Sequence, residues 1–204
     1  MALTNFARAV EVITGGASGI GRGGAVDTCT ASKMQTMLNI NFMGVYHCVQ
    51  VALPAMRQQQ SGPFVFLSSV AVKFGVPLLS AYCASKLAVR GFFSALRAEL
   101  HRTGIGITNV YRARVDTPMV LQEENSQNMM DVEMLLTPEK VASEILQAVS
   151  EDRRDLTIAP NPDIAFILRV YKDDPDRAEM QLGEAYLRRA TRAAEHHATQ
   201  GTQQ

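Results

Sequence analysis

A glycine-rich segment near the amino terminus most constrains what this chain can fold into. The segment T-G-G-A-S-G-I-G at residues 14–21 follows a short, mostly apolar run at residues 10–13. Glycines at this spacing let the backbone turn out of a strand and approach a phosphate at the amino terminus of the next helix. A simple tight turn is the alternative interpretation. Both interpretations predict a strand, a turn and a helix.

A second pattern pairs a tyrosine with a lysine. Tyr82 and Lys86 are four residues apart, so on a helix their side chains share one face. A free tyrosine has a pKa of about 10, and a nearby ammonium favours the phenolate. This pairing alone is common on amphipathic helices. Ser69, however, follows the apolar run at residues 64–67, where a parallel strand would present a hydroxyl at its ligand-binding edge.

In this order, the segments resemble the short-chain dehydrogenase/reductase family. The resemblance covers residues 8–22 and about 35–160, and it is dense from residue 39 to residue 99. The family's TGxxxGxG cofactor loop matches residues 14–21, and its Y-x-x-x-K motif matches Tyr82 and Lys86. Its catalytic Asn and Ser match Asn41 and Ser69. The resemblance implies an α/β fold, a Rossmann-like doubly wound parallel sheet.

The resemblance also implies a reaction and a cofactor. The reaction is hydride transfer between NAD or NADP and an alcohol or carbonyl carbon of a small molecule. The implied catalytic residues are Asn41, Ser69, Tyr82 and Lys86. The implied cofactor-binding residues are Gly15, Ser18, Gly19, Ile20, Gly21, Tyr82, Lys86, Val115 and Thr117. No metal site is expected. The mostly apolar segment at residues 70–79 favours a lipophilic substrate.

Three departures from the family pattern fall on its cofactor half. Glu11 interrupts the first apolar run, and Arg112 and Ala113 occupy the positions of a Pro-Gly pair. Asn41 follows Gly21 by only twenty residues, whereas one βαβ unit needs about 30. We therefore expect a sheet shortened by about three strands, including the one that would select NAD or NADP. The alternative hypothesis is an inactive, truncated variant with impaired cofactor binding that acts as a pairing protein.

Composition narrows the class of protein further. The chain has 204 residues, is 47% hydrophobic and has zero formal net charge, so nothing favours nucleic acid as a partner. Its three cysteines are scattered and predict reduced thiols in a cytoplasmic protein. No apolar run has the length of a membrane span, and no signal peptide is expected.

The predicted organisation is one truncated Rossmann-like domain at residues 1–171, followed by a charged tail at residues 172–204 that is helical or disordered. Long helices are expected at residues 34–59 and 81–102. The resemblance implies that these two helices form the interface of a homo-dimer or homo-tetramer.

Overall fold

The structure is a computed structural model, and it describes residues 26–116 and 135–201. The predicted first strand and the glycine-rich segment lie outside the described residues. The same is true of six of the expected cofactor-binding residues: Gly15, Ser18, Gly19, Ile20, Gly21 and Thr117.

A parallel sheet forms the centre of the described part. Its strands are β1 (Gly62–Ser69), β2 (Ile105–Arg112) and β3 (Asp155–Ile158), in the order β1-β2-β3. Both pairings are parallel, so the carboxyl ends of the strands lie at one edge. The apolar run at residues 64–67 predicted β1 correctly, and the α/β, Rossmann-like expectation is confirmed.

Helices connect the strands and cover the sheet. Ahead of β1 lie α1 (Ala31–Leu38), a π-helical segment (Asn39–Met43) and α2 (Gly44–Gln59). The strand β1 is joined to β2 by α3 (Ser80–Glu99), and α4 (Pro138–Ser150) precedes β3. Two helices follow β3, namely α5 (Pro162–Asp173) and α6 (Pro175–Gly201). The helices expected at residues 34–59 and 81–102 are therefore confirmed.

The first of two apolar clusters lies between the sheet and the helices α2 and α3. Phe64 and Phe66 of β1 are almost fully buried there against Phe93 of α3 and Val49 of α2. Alternate residues of a strand point to opposite faces of a sheet. This alternation in β1 explains why Phe64 and Phe66 share one cluster.

The second cluster joins β2 and β3 to the carboxyl-terminal helices. Val110 and Leu156 pack there with Ala148 of α4 and Ile164 of α5, and Ala178 of α6 is fully buried in the same cluster. The two clusters together hold the sheet rigidly beneath its carboxyl edge. Within residues 26–116 and 135–201, no helix is both long and apolar enough to span a bilayer.

Candidate active site

The four predicted catalytic side chains come from three segments near the carboxyl edge of the sheet. Ser69 is the last residue of β1, Tyr82 and Lys86 belong to α3, and Asn41 belongs to the π-helical segment. Hydrogen bonds described below join Asn41 to the turn of α3 that carries Tyr82 and Lys86. Ser69 ends the strand β1, which packs against α3.

Asn41 is fixed by a buried hydrogen bond. Its side-chain nitrogen Nδ2 donates to Oγ of Ser85 at 3.0 Å, and Ser85 Oγ donates to the carbonyl of Tyr82 at 2.8 Å. Asn41 is only 8% exposed and Ser85 is fully buried. The polar chain therefore ties the π-helical segment to the turn of α3 that carries Tyr82 and Lys86.

The π-helical segment contains one residue more than a regular helical turn. The backbone N–H of Gly44 donates to the carbonyl of Asn39, five residues earlier, so one extra residue is accommodated in this turn. Such π-turns are rare and occur often at functional sites. The segment places Asn41 on the side of the helix that faces α3.

Lys86 and Tyr82 lie together on α3, as their spacing predicted. The Lys86 ammonium is 5.9 Å from the centroid of the Tyr82 ring. Burial, followed by repulsion from Arg112, lowers the pKa of Lys86 to about 8. The described residues supply no carboxylate that pairs with Lys86, so its ammonium is available to donate hydrogen bonds to a ligand.

The hydroxyl of Ser69 is oriented by its own backbone. Ser69 Oγ accepts a hydrogen bond from the N–H of Ala71 at 3.2 Å, and Ser69 caps the short helix that follows. A hydroxyl that accepts in this way keeps its O–H free to donate. Ser68, by contrast, is 5% exposed and lies on the opposite face of β1. Ser69 thus remains the predicted catalytic serine, and Ser68 is buried in the sheet.

Arg112 brings a positive charge to the same edge. It ends β2, and its Cα pairs with that of Ser69 in the parallel register. Its Nη1 donates to the carbonyl of Ala113 at 3.3 Å, so an arginine is accommodated where the family pattern has proline. Val115, just beyond, is 7% exposed and bridges to Leu136.

Ser85 is the functional residue that sequence reasoning missed. It joins Asn41 to α3, although none of the recognised motif positions includes it. A usable signal was present: Ser85 is a small polar residue directly before Lys86, on a helix with a buried face. A serine there needs a polar partner.

The site is suited to proton transfer at an oxygen atom. Tyr82 is a phenol beside the Lys86 ammonium, and Ser69 offers a hydroxyl donor at the end of a neighbouring strand. A bound nicotinamide nucleotide fits the described residues to the extent that Lys86 is buried, cationic and free to donate to ribose hydroxyls. The parallel sheet, with a phenol and an ammonium close together near its carboxyl edge, defines the class of the protein as α/β with a candidate acid/base site.

Comparison with known proteins identifies the family to which the chain belongs. The sequence pattern of the family described as "short chain dehydrogenase" matches residues 23–128, which is more than half of the chain. The protein therefore belongs to the short-chain dehydrogenase/reductase family, whose members are oxidoreductases that generally use NAD(H) or NADP(H).

Individual relatives agree with the family. The chain is 34% identical over 155 residues to a dehydrogenase/reductase SDR family protein 7-like of Anopheles gambiae, covering 72% of this chain and 49% of that protein. It is also 37% identical over 84 residues to a 3-ketodihydrosphingosine reductase of Bacteroides thetaiotaomicron, covering 41% of this chain and 31% of that protein. A short-chain dehydrogenase structure from Streptomyces avermitilis superposes with a TM-score of 0.69 at 21% identity, covering 90% of this chain and 71% of that chain. The chain thus spans about half the length of the curated relatives it matches.

Proposed function

We propose that the protein is an NAD- or NADP-dependent oxidoreductase that interconverts an alcohol and a carbonyl compound. The observation that carries this proposal is the buried Lys86 ammonium 5.9 Å from the centroid of the Tyr82 ring. The Ser69 hydroxyl lies at the end of β1, the strand that packs against the same helix. When bound, the nicotinamide supplies or accepts the hydride.

The side chains divide the remaining work among them. Tyr82 gives or takes the hydroxyl proton, and the positive charge of Lys86 favours the phenolate form of Tyr82. Lys86 also donates to the ribose hydroxyls. Ser69 donates to the substrate oxygen and stabilises the charge that develops there. Asn41, held by Ser85, supports the proton path to solvent.

We propose a lipophilic substrate. Three residues of the apolar segment after Ser69, namely Val76, Leu78 and Leu79, are only partly buried and can contact a ligand. Val70, Val72 and Phe74 are instead buried. The similarity to a protein named 3-ketodihydrosphingosine reductase supports the same substrate class.

Titration of the purified chain with NADH and NADPH is the first test. We expect saturable binding of at least one cofactor. Isothermal calorimetry or cofactor fluorescence measures this binding. Absence of binding by a folded protein would overturn the proposal and favour the inactive-variant hypothesis.

Tyr82→Phe tests the chemical step. Removal of a general acid or base typically costs about 10²–10⁴-fold in turnover, and we expect a loss of this size with cofactor affinity nearly unchanged. Tyr186→Phe, at an exposed tyrosine of α6, is the matched control and should keep full activity. Unchanged turnover in Tyr82→Phe would contradict the assigned role.

A further inference from the structure

A cavity lies next to the segment of α3 that carries the predicted catalytic residues. This cavity of about 200 Å³ opens between the segment that follows β1, the helix α3 and Tyr171 of α5. Neither Tyr82 nor Lys86 lines it. Cys83 and Leu87, their immediate neighbours on α3, do. The cavity is therefore lined by sequence neighbours of Tyr82 and Lys86, whose side chains lie on a different face of α3.

The charged side chains that line the cavity are both positive. They are Lys73 and Arg90, and no acidic residue is among its lining residues. In the part of the chain that the structure describes, neither one forms an ion pair. The Lys73 ammonium lies 4.1 Å from the centroid of the Tyr111 ring. Burial lowers the pKa of Lys73, and repulsion from Arg90 lowers it further.

Asp155, the carboxylate whose charge acts on Lys73, already has other partners. Asp155 Oδ1 accepts hydrogen bonds from Tyr111 Oη and Asn109 Nδ2, both at 3.2 Å, and lies 3.9 Å from Arg97 Nη2. It raises the pKa of Lys73 but does not line the cavity. The Lys73–Arg90 pair therefore has room for an anion of its own.

The rest of the wall is largely apolar. Val72 and Phe74 line one side, with Leu87 and Cys83 on another. Burial raises the pKa of the Cys83 thiol, which keeps this side chain neutral. An engineered apolar cavity of about 150 Å³ holds one benzene molecule, so a cavity of about 200 Å³ has room for a ring with one small substituent.

We propose that this cavity binds a small organic carboxylate whose apolar body is about the size of one ring. The carboxylate contacts Lys73 and Arg90, and the apolar body packs mainly against Leu87 and also against the small exposed parts of Val72 and Phe74. Occupancy of this site is measured without cofactor or substrate.

The test uses benzoate as the probe and calorimetry or ligand-observed NMR on the full chain. We expect saturable binding of benzoate, and at least tenfold weaker binding of benzyl alcohol, which has the same ring without the charge. Inorganic phosphate, which lacks an apolar body, should also bind at least tenfold more weakly. No saturable binding of benzoate, or binding of benzyl alcohol or phosphate as tight as that of benzoate, would overturn the proposal.

Variants locate the bound carboxylate. Arg90→Gln changes an exposed side chain of α3 and should weaken benzoate binding about tenfold or more, and Lys73→Met should do the same. Arg57→Gln on α2 and Lys33→Met on α1 remove exposed cations outside the cavity and should leave the affinity unchanged. Wild-type affinity in Arg90→Gln, or equal losses in the controls, would place benzoate elsewhere and refute the assignment.

Discussion

At the residue scale, Lys86 shows how a catalytic arrangement opposes stability. It is 7% exposed, and its pKa falls from 10.5 to about 8 because burial and Arg112 both disfavour its charged form. Below pH 8 the folded protein must therefore charge a group that the unfolded chain charges more easily. A pKa difference of this size corresponds to about 3 kcal/mol of lost stability.

Lys86→Met should therefore stabilise the protein at pH 7, by up to about 3 kcal/mol. The unfolded chain binds more protons between pH 8 and 10.5, so wild-type stability rises over this range and the advantage of the variant shrinks. Urea unfolding at pH 7 and at pH 10 measures both effects. Lys33→Met, at an exposed lysine, should change little. A destabilised Lys86→Met, or an effect independent of pH, would contradict this account.

Ser85 makes the opposite contribution. Ser85→Ala leaves Asn41 Nδ2 buried without its acceptor, and an unsatisfied buried donor costs about 1–3 kcal/mol. Chemical denaturation of the variant should show a loss in this range. Ser80→Ala, at an exposed serine in the first turn of the same helix, is the matched control. A loss no larger than that of the control would mean that the Asn41–Ser85 hydrogen bond adds nothing to stability.

Spacing in the sequence pointed to most residues of the described candidate site. It did not point to the hydrogen bond that holds Asn41 in place. Tyr82 and Lys86 follow from a four-residue interval, and Ser69 follows from its position after an apolar run. The hydrogen bond between Asn41 and Ser85 joins residues 44 apart. The folded arrangement of two helices creates this contact, and no local pattern encodes it.

At the element scale, α3 contributes residues both to the apolar core and to the candidate active site. Val89, Phe93 and Leu96 face the core, and Tyr82 and Lys86 occupy the first turns of the same helix. The core face fixes the position of the helix. Packing against β1 therefore determines where the phenol and the ammonium lie.

Adjacent phenylalanines of α3 allow a matched test of this packing. Phe93 is fully buried and stacks on Phe66, whereas Phe92 is only partly buried. Phe93→Ala should cost about 3–5 kcal/mol, as is typical of buried aromatic truncations. Phe92→Ala should cost clearly less, because less apolar area is lost. Equal losses in thermal or urea unfolding would contradict the assigned core.

Strands and helices were predictable because apolar residues recur at a different spacing along the sequence in each of them. The apolar run at residues 64–67 lies within β1. Thr137 caps α4, and Pro138 is the first residue of that helix, a pattern typical of helix starts. The π-helical segment was not predictable. Its extra residue alters the helical period over a single turn, too short a stretch for side-chain spacing to show.

At the scale of the whole molecule, the described part is a parallel sheet with two apolar clusters. The division predicted after residue 171 falls within α5 and stays a prediction. Beyond it, Ala178 of α6 is fully buried against the sheet cluster. At least the first turn of α6 is thus packed onto the rest of the molecule.

We propose that the protein forms a homo-oligomer through α2 and α3. Val51 on α2 is 81% exposed, so this helix presents an apolar side chain to solvent. Val51→Glu should shift the species seen in analytical ultracentrifugation towards monomer. Val26→Glu, at another exposed valine, should have no such effect. A wild-type chain that is monomeric at high concentration would refute the proposal.

The parallel pairing of β1 with β2, and of β2 with β3, has a kinetic consequence. Paired residues are more than forty positions apart in the sequence, because each connection contains a helix. Loop-closure entropy is lost before such contacts form, which slows folding. Helices form within about a microsecond, long before the strands meet. Until then the aromatic side chains of β1 are exposed, and newly made chains are most prone to aggregate during that interval.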